Sequence, residues 1–345
     1  MKKKLLQTIN GQKQNIPPIW FMRQAGRYLL EYRNIRKKVD SFLELCYNPI
    51  LATEVTLQPI NRFDLDAAII FADILVIPHS LGINLTFKEN EGPILEQLTI
   101  DKINKLEKNI NKIDNILNPI YQTIENVKQK LSKEKTLIGF CGAPWTIATY
   151  MINGKTSKDH IEAKKFAMQY PNEMKNLISI ITEASANYLI KQIDHGCDLV
   201  QIFDSWSNIL DENNFEEYCI KPVAKIVKKV KEKYPNVPII GFPKGCGAFY
   251  KNYATKTKVD VLSIDWAIPF DFAKSLQNET IIQGNLDPVR LLVGGQALHE
   301  GVLNILDNFN DKPFIFNLGH GILPTTPIKN VETMINLIRT YNKGN

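Results

Sequence analysis

The chain alternates short apolar runs rich in β-formers with long stretches whose apolar positions recur every three or four residues, which predicts parallel strands joined by crossover helices. Eight such runs fall at 19–22, 67–71, 136–140, 199–203, 238–242, 261–265, 281–284 and 314–318. Helical periodicity covers 50–61, 102–112, 119–133, 158–168, 172–195, 213–233, 248–255, 269–277, 295–307 and 329–342. Between the second and third runs, residues 85–95 form a short extended excursion with Glu91-Gly-Pro93 as its turn. Eight strands with right-handed crossovers close most simply into a single-domain (β/α)8 TIM-type barrel, with the active-site cleft at the C-terminal ends of the strands. The rival is a doubly wound open sheet, which favours Gly-x-Gly-x-x-Gly after the first strand; residues 23–28 hold one glycine. No solenoid-length repeat and no Gly/Ser linker divides the chain, so one domain is expected over 1–345.

Just past the eight runs stand Arg23 to Arg27, Asp73, Gly142-Ala-Pro-Trp145, Asp204-Ser205, Lys244-Gly-Cys246, Asp265-Trp266, Asn285-Leu-Asp287 and Gly319-His-Gly321. The third of these opens a helix that reaches Tyr150 about two turns on. One mouth of the barrel is therefore both basic and acidic. Its basic part is distinctive: of 42 Lys and Arg the chain has seven arginines, and four of them, Arg23, Arg27, Arg33 and Arg36, follow the first run. Arginine offers carboxylates or phosphates a planar, permanently charged fork that lysine cannot copy. Clustered after an apolar strand and beside Gly26, it points to a polyanion site, with a solvated helix face as the alternative.

Composition narrows the classes. A 44% hydrophobic and 23% charged chain with no 18-residue apolar run suits a globular protein with no membrane span. The basic head lacks the apolar stretch and cleavage site of a signal peptide, so a cytoplasmic location is expected. Cys46, Cys141, Cys197, Cys219 and Cys246 are scattered and odd in number, which signals neither disulfides nor zinc. The net charge of +6 is spread over helical lysines without interleaved aromatics, which favours a small anion over nucleic acid.

Several stretches together resemble the uroporphyrinogen decarboxylase family nearly end to end. They are Pro17-Pro-Ile-Trp-Phe-Met-Arg-Gln-Ala-Gly-Arg-Tyr-Leu29, Phe71-Ala-Asp-Ile-Leu75, Gly142-Ala-Pro-Trp-Thr-Ile-Ala-Thr-Tyr-Met151, Phe203-Asp-Ser-Trp206, Gln283-Gly-Asn-Leu-Asp-Pro288 and Asn317-Leu-Gly-His-Gly321. Two departures touch loop conformation: Leu30 stands where the family usually has proline, and Ser207-Asn208 where a small residue and glycine are usual. The resemblance implies a homodimer that removes carbon dioxide from the four acetates of uroporphyrinogen, without metal or organic cofactor. It also implies substrate binding by Arg23, Gln24, Ala25, Gly26, Arg27, Asp73, Tyr150, Ser205 and His320, with Asp73 stabilising the transition state. Arg23, Tyr150 and His320 join Asp73 as the expected catalytic group.

Each residue has a plainer reading from the sequence. Asp73 and Ser205 suit helix caps, Tyr150 suits a core position with a satisfied hydroxyl, and His320 between two glycines suits a tight turn. Asp204, Asp265 and Asp287 also end strands and receive no chemistry, and the acid that protonates the pyrrole is not assigned. Two rival functions remain. A corrinoid-linked methyltransferase shares the strand pattern but relies on a zinc site of His and Cys, and a non-catalytic tetrapyrrole-binding protein would keep the arginine mouth without turnover.

Overall fold

The computed structural model describes residues 3–88, 91–157 and 159–342. Seven parallel strands form one curled sheet: β1 (Ala67–Ile69), β4 (Thr136–Gly142), β5 (Leu199–Asp204), β6 (Ile239–Pro243), β7 (Val261–Ser263), β8 (Ile281–Leu286) and β9 (Phe314–Leu318), hydrogen-bonded in that order. β2 (Leu85–Lys88) and β3 (Gly92–Leu95) make a separate antiparallel hairpin. Gly92 and Pro93 therefore lie within a strand and only Glu91 of the expected turn keeps a turn conformation; residues 89 and 90 lie outside the described residues. The strands of the large sheet are almost wholly buried, as helices on the outside and side chains on the inside require.

The first expected strand, 19–22, is corrected to a single parallel bridge, Ile19 with Phe316. Local chemistry explains the loss. Pro17 and Pro18 have no N–H to give a ladder, although the Pro18 carbonyl accepts from Phe316 N at 2.9 Å. Side chains take three of the donors: Ile19 N donates to Asp66 Oδ2 at 2.7 Å, Phe21 N to Gln24 Oε1 at 3.1 Å and Met22 N to Asn317 Oδ1 at 3.3 Å. Asp66 N in turn donates to the Ile19 carbonyl at 2.9 Å. The segment thus spans the gap between β9 and β1 and closes the barrel, with few strand-type bonds.

Helices follow the expected stripes with shifted ends. Ile113–Lys130 starts earlier than 119, because Ile113 and Leu117 continue the buried stripe of Ile120, Ile124 and Val127 through Pro119. The stretch expected at 213–233 divides into Glu212–Phe215, a π-turn at Glu216–Ile220 and Lys221–Lys233. Pro222 lacks the N–H for the turn before it, a recognised cause of such widening. The helix expected from 158 begins at Ile161, and residue 158 itself is outside the described set. Short helices at Leu30–Arg36, Phe42–Cys46 and Val76–Ser80 were too brief for periodicity to reveal.

Asp66 also meets Arg339 at 2.9 Å, so one carboxylate fastens the closing segment and the final helix. Asp66→Ala strands the Ile19 N–H and is expected to cost about 1–3 kcal/mol. Thermal melting measures the loss, and faster exchange of the Ile19 amide, with Leu137 in β4 still protected, locates it at the closure.

Candidate active site

The closing segment delivers Arg23 to the mouth in a left-handed backbone conformation, φ 60°. A non-glycine residue holds that region at a cost of about 1 kcal/mol, which its surroundings must supply. Gln24 is one of them. Fully buried, it receives Phe21 N and donates from Nε2 to the Ala67 carbonyl at 3.1 Å, while its own carbonyl accepts from Tyr28 Oη at 2.7 Å. Gln24 is thus a bracket between the loop and β1, and its amide faces the protein. Gly26 has little room for a side chain, since a Cβ would stand 3.2 Å from the Arg23 carbonyl.

The four clustered arginines separate by role. Arg33 Nη1 donates to the carbonyls of Arg27 at 2.7 Å and Tyr28 at 3.2 Å, and Arg36 Nη1 to that of Val39 at 2.9 Å, so these two cap the loop. Arg23 and Arg27 have no hydrogen-bond or ion-pair partner among the described residues and are both exposed. Arg27 lies toward the rim, where its charge bears on Tyr32. Ala25 sits between them, half-buried.

Arg23 is the electrostatic centre. Its charge bears on Asp73, Tyr150, Lys244 and His320, which places side chains from five separate stretches around one space. Asp73 Oδ1 accepts from Leu75 N at 2.8 Å in a turn two residues long, while Leu75 is the N-cap of the helix Val76–Ser80. The capping role read from the sequence is therefore only half met, and no bond occupies Oδ2. Burial raises the Asp73 pKa, opposed by the Leu75 N–H and by Arg23. Burial likewise raises Tyr150, which stays a neutral phenol, with the Trp206 indole and Thr156 hydroxyl close enough to counter the shift.

His320 stands two residues past β9 without a hydrogen-bond partner among the described residues. Its two glycines are not there for a turn, as neither has positive φ, but for space. A Cβ on Gly319 would lie 2.7 Å from Trp266 N, and one on Gly321 would lie 2.8 Å from Arg23 Cγ. Burial, then the Arg23 and Lys244 charges, push the His320 pKa down to about 3. The imidazole is neutral and keeps one donor and one acceptor for a ligand. Ser205 is half-buried, caps no helix and has no partner among the described residues.

The sequence passed over Lys244 and Trp206 as functional candidates, although both follow strand ends. Lys244 is half-buried just past the end of β6, its ammonium 5.7 Å from the Trp266 ring centroid. Trp206 stands edge-on to Tyr150, with centroids 6.4 Å apart. A lysine at a strand end in a chain rich in lysine gave no contrast, whereas the clustered arginines did. A cavity of about 310 Å3 lies on the flank under the β6 and β7 loops, lined by Gly245, Tyr250, Asp265, Ile268 and Phe272, and none of the expected site residues lines it.

Fold and mouth together define an α/β-barrel protein whose open end gathers unneutralised cations around one carboxyl. Residues 1–341 match the family described as Uroporphyrinogen decarboxylase (URO-D), and the chain belongs to that family. The uroporphyrinogen decarboxylase of Chelativorans sp. (strain BNC1) is 55% identical over 338 residues, 98% of each chain. That of Brucella anthropi is 55% identical over 339 residues, 98% of this chain and 99% of the other. Among solved structures, a methyltransferase from Methanosarcina mazei is 16% identical with a TM-score of 0.76 over 97% of both chains. A B12-independent methionine synthase from Shewanella sp. W3-18-1 is 7% identical with a TM-score of 0.53, covering 86% of this chain and 87% of that one. Likeness so remote in sequence carries the barrel and none of the chemistry. No cluster of three His, Cys, Asp or Glu suited to a metal ion occurs among the described residues, and none of their helices is long and apolar enough to cross a membrane.

A depressed base prefers its neutral form in the fold, so its stabilising contribution is full above the ordinary pKa near 6.5 and is lost as pH falls toward about 3. The His320 ring resonances are therefore expected not to titrate between pH 8 and pH 5. A titration midpoint near 6.5 in the folded protein would place the ring in water rather than in this mouth.

Proposed function

We propose that this chain decarboxylates the four acetate side chains of uroporphyrinogen III to methyl groups, giving coproporphyrinogen III and four CO2 in haem biosynthesis. The observation that carries the reading is the half-buried Asp73 carboxyl, held by one oxygen through Leu75 N–H and standing within the field of the unpaired Arg23. A tetrapyrrole with eight carboxylates needs forks that hold it in one orientation, and Arg23 and Arg27 supply them. Ala25 and Gly26 line the cleft, Gln24 acts by fixing the loop, and Tyr150, Ser205 and His320 offer neutral hydrogen-bonding groups.

Breaking the bond from CH2 to carboxylate leaves an electron pair that must go somewhere. A proton added to the pyrrole carbon next to the acetate-bearing one makes the ring cationic, and the pair then flows into the ring as CO2 departs. Protonation of the exocyclic carbon gives the methyl, and loss of the ring proton restores the pyrrole. Each round consumes one proton and releases one CO2. No metal or organic cofactor enters this reading, because the substrate ring is the electron sink. A fixed carboxylate beside the pyrrole N–H groups stabilises the ring cation without reorganising, and that role belongs to Asp73. The reading carries one barrel domain, a homodimer and a cytoplasmic location with it, on the strength of the family resemblance.

Asp73→Asn tests the centre of this reading. Asparagine can still accept from Leu75 N, so the melting temperature is expected to stay near that of the parent. Turnover of uroporphyrinogen under anaerobic conditions is expected to fall by at least about 10²-fold, or about 2.7 kcal/mol. A parent-like rate would make Asp73 a turn residue only.

Arg23→Lys keeps the charge but not the fork, and it also trades one side chain for another in a left-handed backbone. Its kcat/KM is expected to drop about tenfold or more while melting is unchanged, as a lost charge-assisted hydrogen bond implies. Equal kcat/KM for variant and parent at low and high salt would reduce Arg23 to a source of general positive field.

A further inference from the structure

Lys244 occupies an unusual position for a lysine of this protein. Elsewhere many lysines lie on outer helices and pair with carboxylates, as Lys231 does with Asp260 at 2.8 Å and Lys256 with Glu216 at 2.7 Å. Lys244 is half-buried at the mouth and has no hydrogen-bond or ion-pair partner among the described residues. The nearby acid is already engaged. Asp265 Oδ2 accepts from Gly245 N at 2.6 Å and Tyr250 Oη at 2.5 Å, and Oδ1 accepts from Ala267 N at 2.8 Å.

The backbone beneath Lys244 is held on both sides. Its N–H lies 3.1 Å from both the Asp204 and the Phe242 carbonyls, and its carbonyl accepts from Ser207 Oγ at 2.9 Å. The next residue, Gly245, turns at φ +74°, where a Cβ would meet the Asn208 Cβ at 2.9 Å. Ser207 and Asn208, the pair that departs from the family pattern, therefore join Asp265 and Asp204 in holding this turn. The stem leads the ammonium over Trp266, which leaves its three N–H donors unused. A cation shielded this far from water and not neutralised by the protein calls for an anion from elsewhere.

We infer that Lys244 is a substrate-binding residue that takes a propionate carboxylate of the tetrapyrrole across the mouth from Asp73. This rests on the function proposed above. Sheet order puts β6 three strands from β1, so Lys244 is placed to hold the far side of a ring whose reacting acetate lies at Asp73. Acetates disappear one by one, whereas the four propionates are present in every round. A cation that needs a counter-charge in all four rounds is served by a propionate.

The test is equilibrium binding, read from fluorescence quenching, of two stable oxidised ligands: uroporphyrin, with acetates and propionates, and coproporphyrin, with propionates alone. Lys244→Met keeps the stem on Trp266 and removes the charge, and Lys244→Arg restores a cation; melting curves check folding. Both ligands are expected to bind Lys244→Met about tenfold or more weakly, with Lys244→Arg recovering much of the loss. In turnover, KM for uroporphyrinogen is expected to rise while kcat changes only a few-fold. Parent-like affinity of Lys244→Met for both ligands overturns the inference and leaves the proposed function standing. Weakened binding of uroporphyrin alone overturns the propionate assignment. A parent chain that binds neither porphyrin overturns the proposed function and this inference together.

Discussion

The site depends on closing a barrel with a segment that cannot be a full strand. Residues 17–22 begin with two prolines, and a ladder on both edges is out of reach. Asp66, Gln24 and Asn317 supply side-chain acceptors where backbone carbonyls would ordinarily stand. Such a seam is less uniform than a strand pair but more exact in where it ends. The chain leaves the seam at Met22, whose carbonyl accepts from Ile322 N at 3.0 Å, and turns at once through Arg23. Loop and barrel are thus tied at the point where the guanidinium enters the mouth. The same bond draws in the loop after His320, so Arg23 and His320 share an anchor.

Around that anchor the protein arranges charge by burial rather than by pairing. Arg62 is bound to Glu31 in two places at the surface, at 2.7 and 3.2 Å, and exposed pairs of this kind contribute little. Arg23 and Lys244 meet no acid in that way. Their positive field instead acts on neighbours: both add to the burial that holds His320 neutral, and Arg23 restrains the rise that burial gives to Asp73. Removing either cation would therefore be felt beyond the contact it makes, because the protonation state of the mouth is shared among its members. A polyanion that arrives meets donors already oriented, and binding energy is not spent on breaking internal salt bridges.

The barrel was legible because its strands, buried on both faces, are continuous apolar runs that no surface pattern imitates. Arg23, Asp73 and His320 were legible at one end of the sheet because polar residues just past such runs share it, whereas Tyr150, inside the helix Pro144–Asn153, joined them through the family resemblance. What the sequence hid was of two kinds. Bonds between distant residues have no local signature, so neither the Asp66 clamp nor the inward bracket of Gln24 could be read from spacing. Steric needs were also hidden: Gly319 and Gly321 suggest a turn in the sequence, whereas in the fold they clear room for Trp266 and Arg23. The Leu30 departure turned out mild, since Leu30 is the first residue of its helix, exposed, where proline and other residues are both at home.

Asp204 shows how the mouth keeps its charge from spreading inward. It ends β5 fully buried, accepts from Thr146 Oγ1 at 2.6 Å, and burial lifts its pKa to about 6. A raised carboxyl contributes most to stability when protonated, and that contribution is lost as pH rises from near 4 through about 6. Thr146 also receives Trp206 N at 3.2 Å, so the carboxyl, the threonine and the loop carrying Ser205 form one chain of bonds under Tyr150. An acid placed here to pair with Arg23 would have cancelled the field that a carboxylate-rich ligand needs. Turned inward onto a hydroxyl, it stiffens the floor of the site and leaves Asp73 as the carboxyl within the field of Arg23.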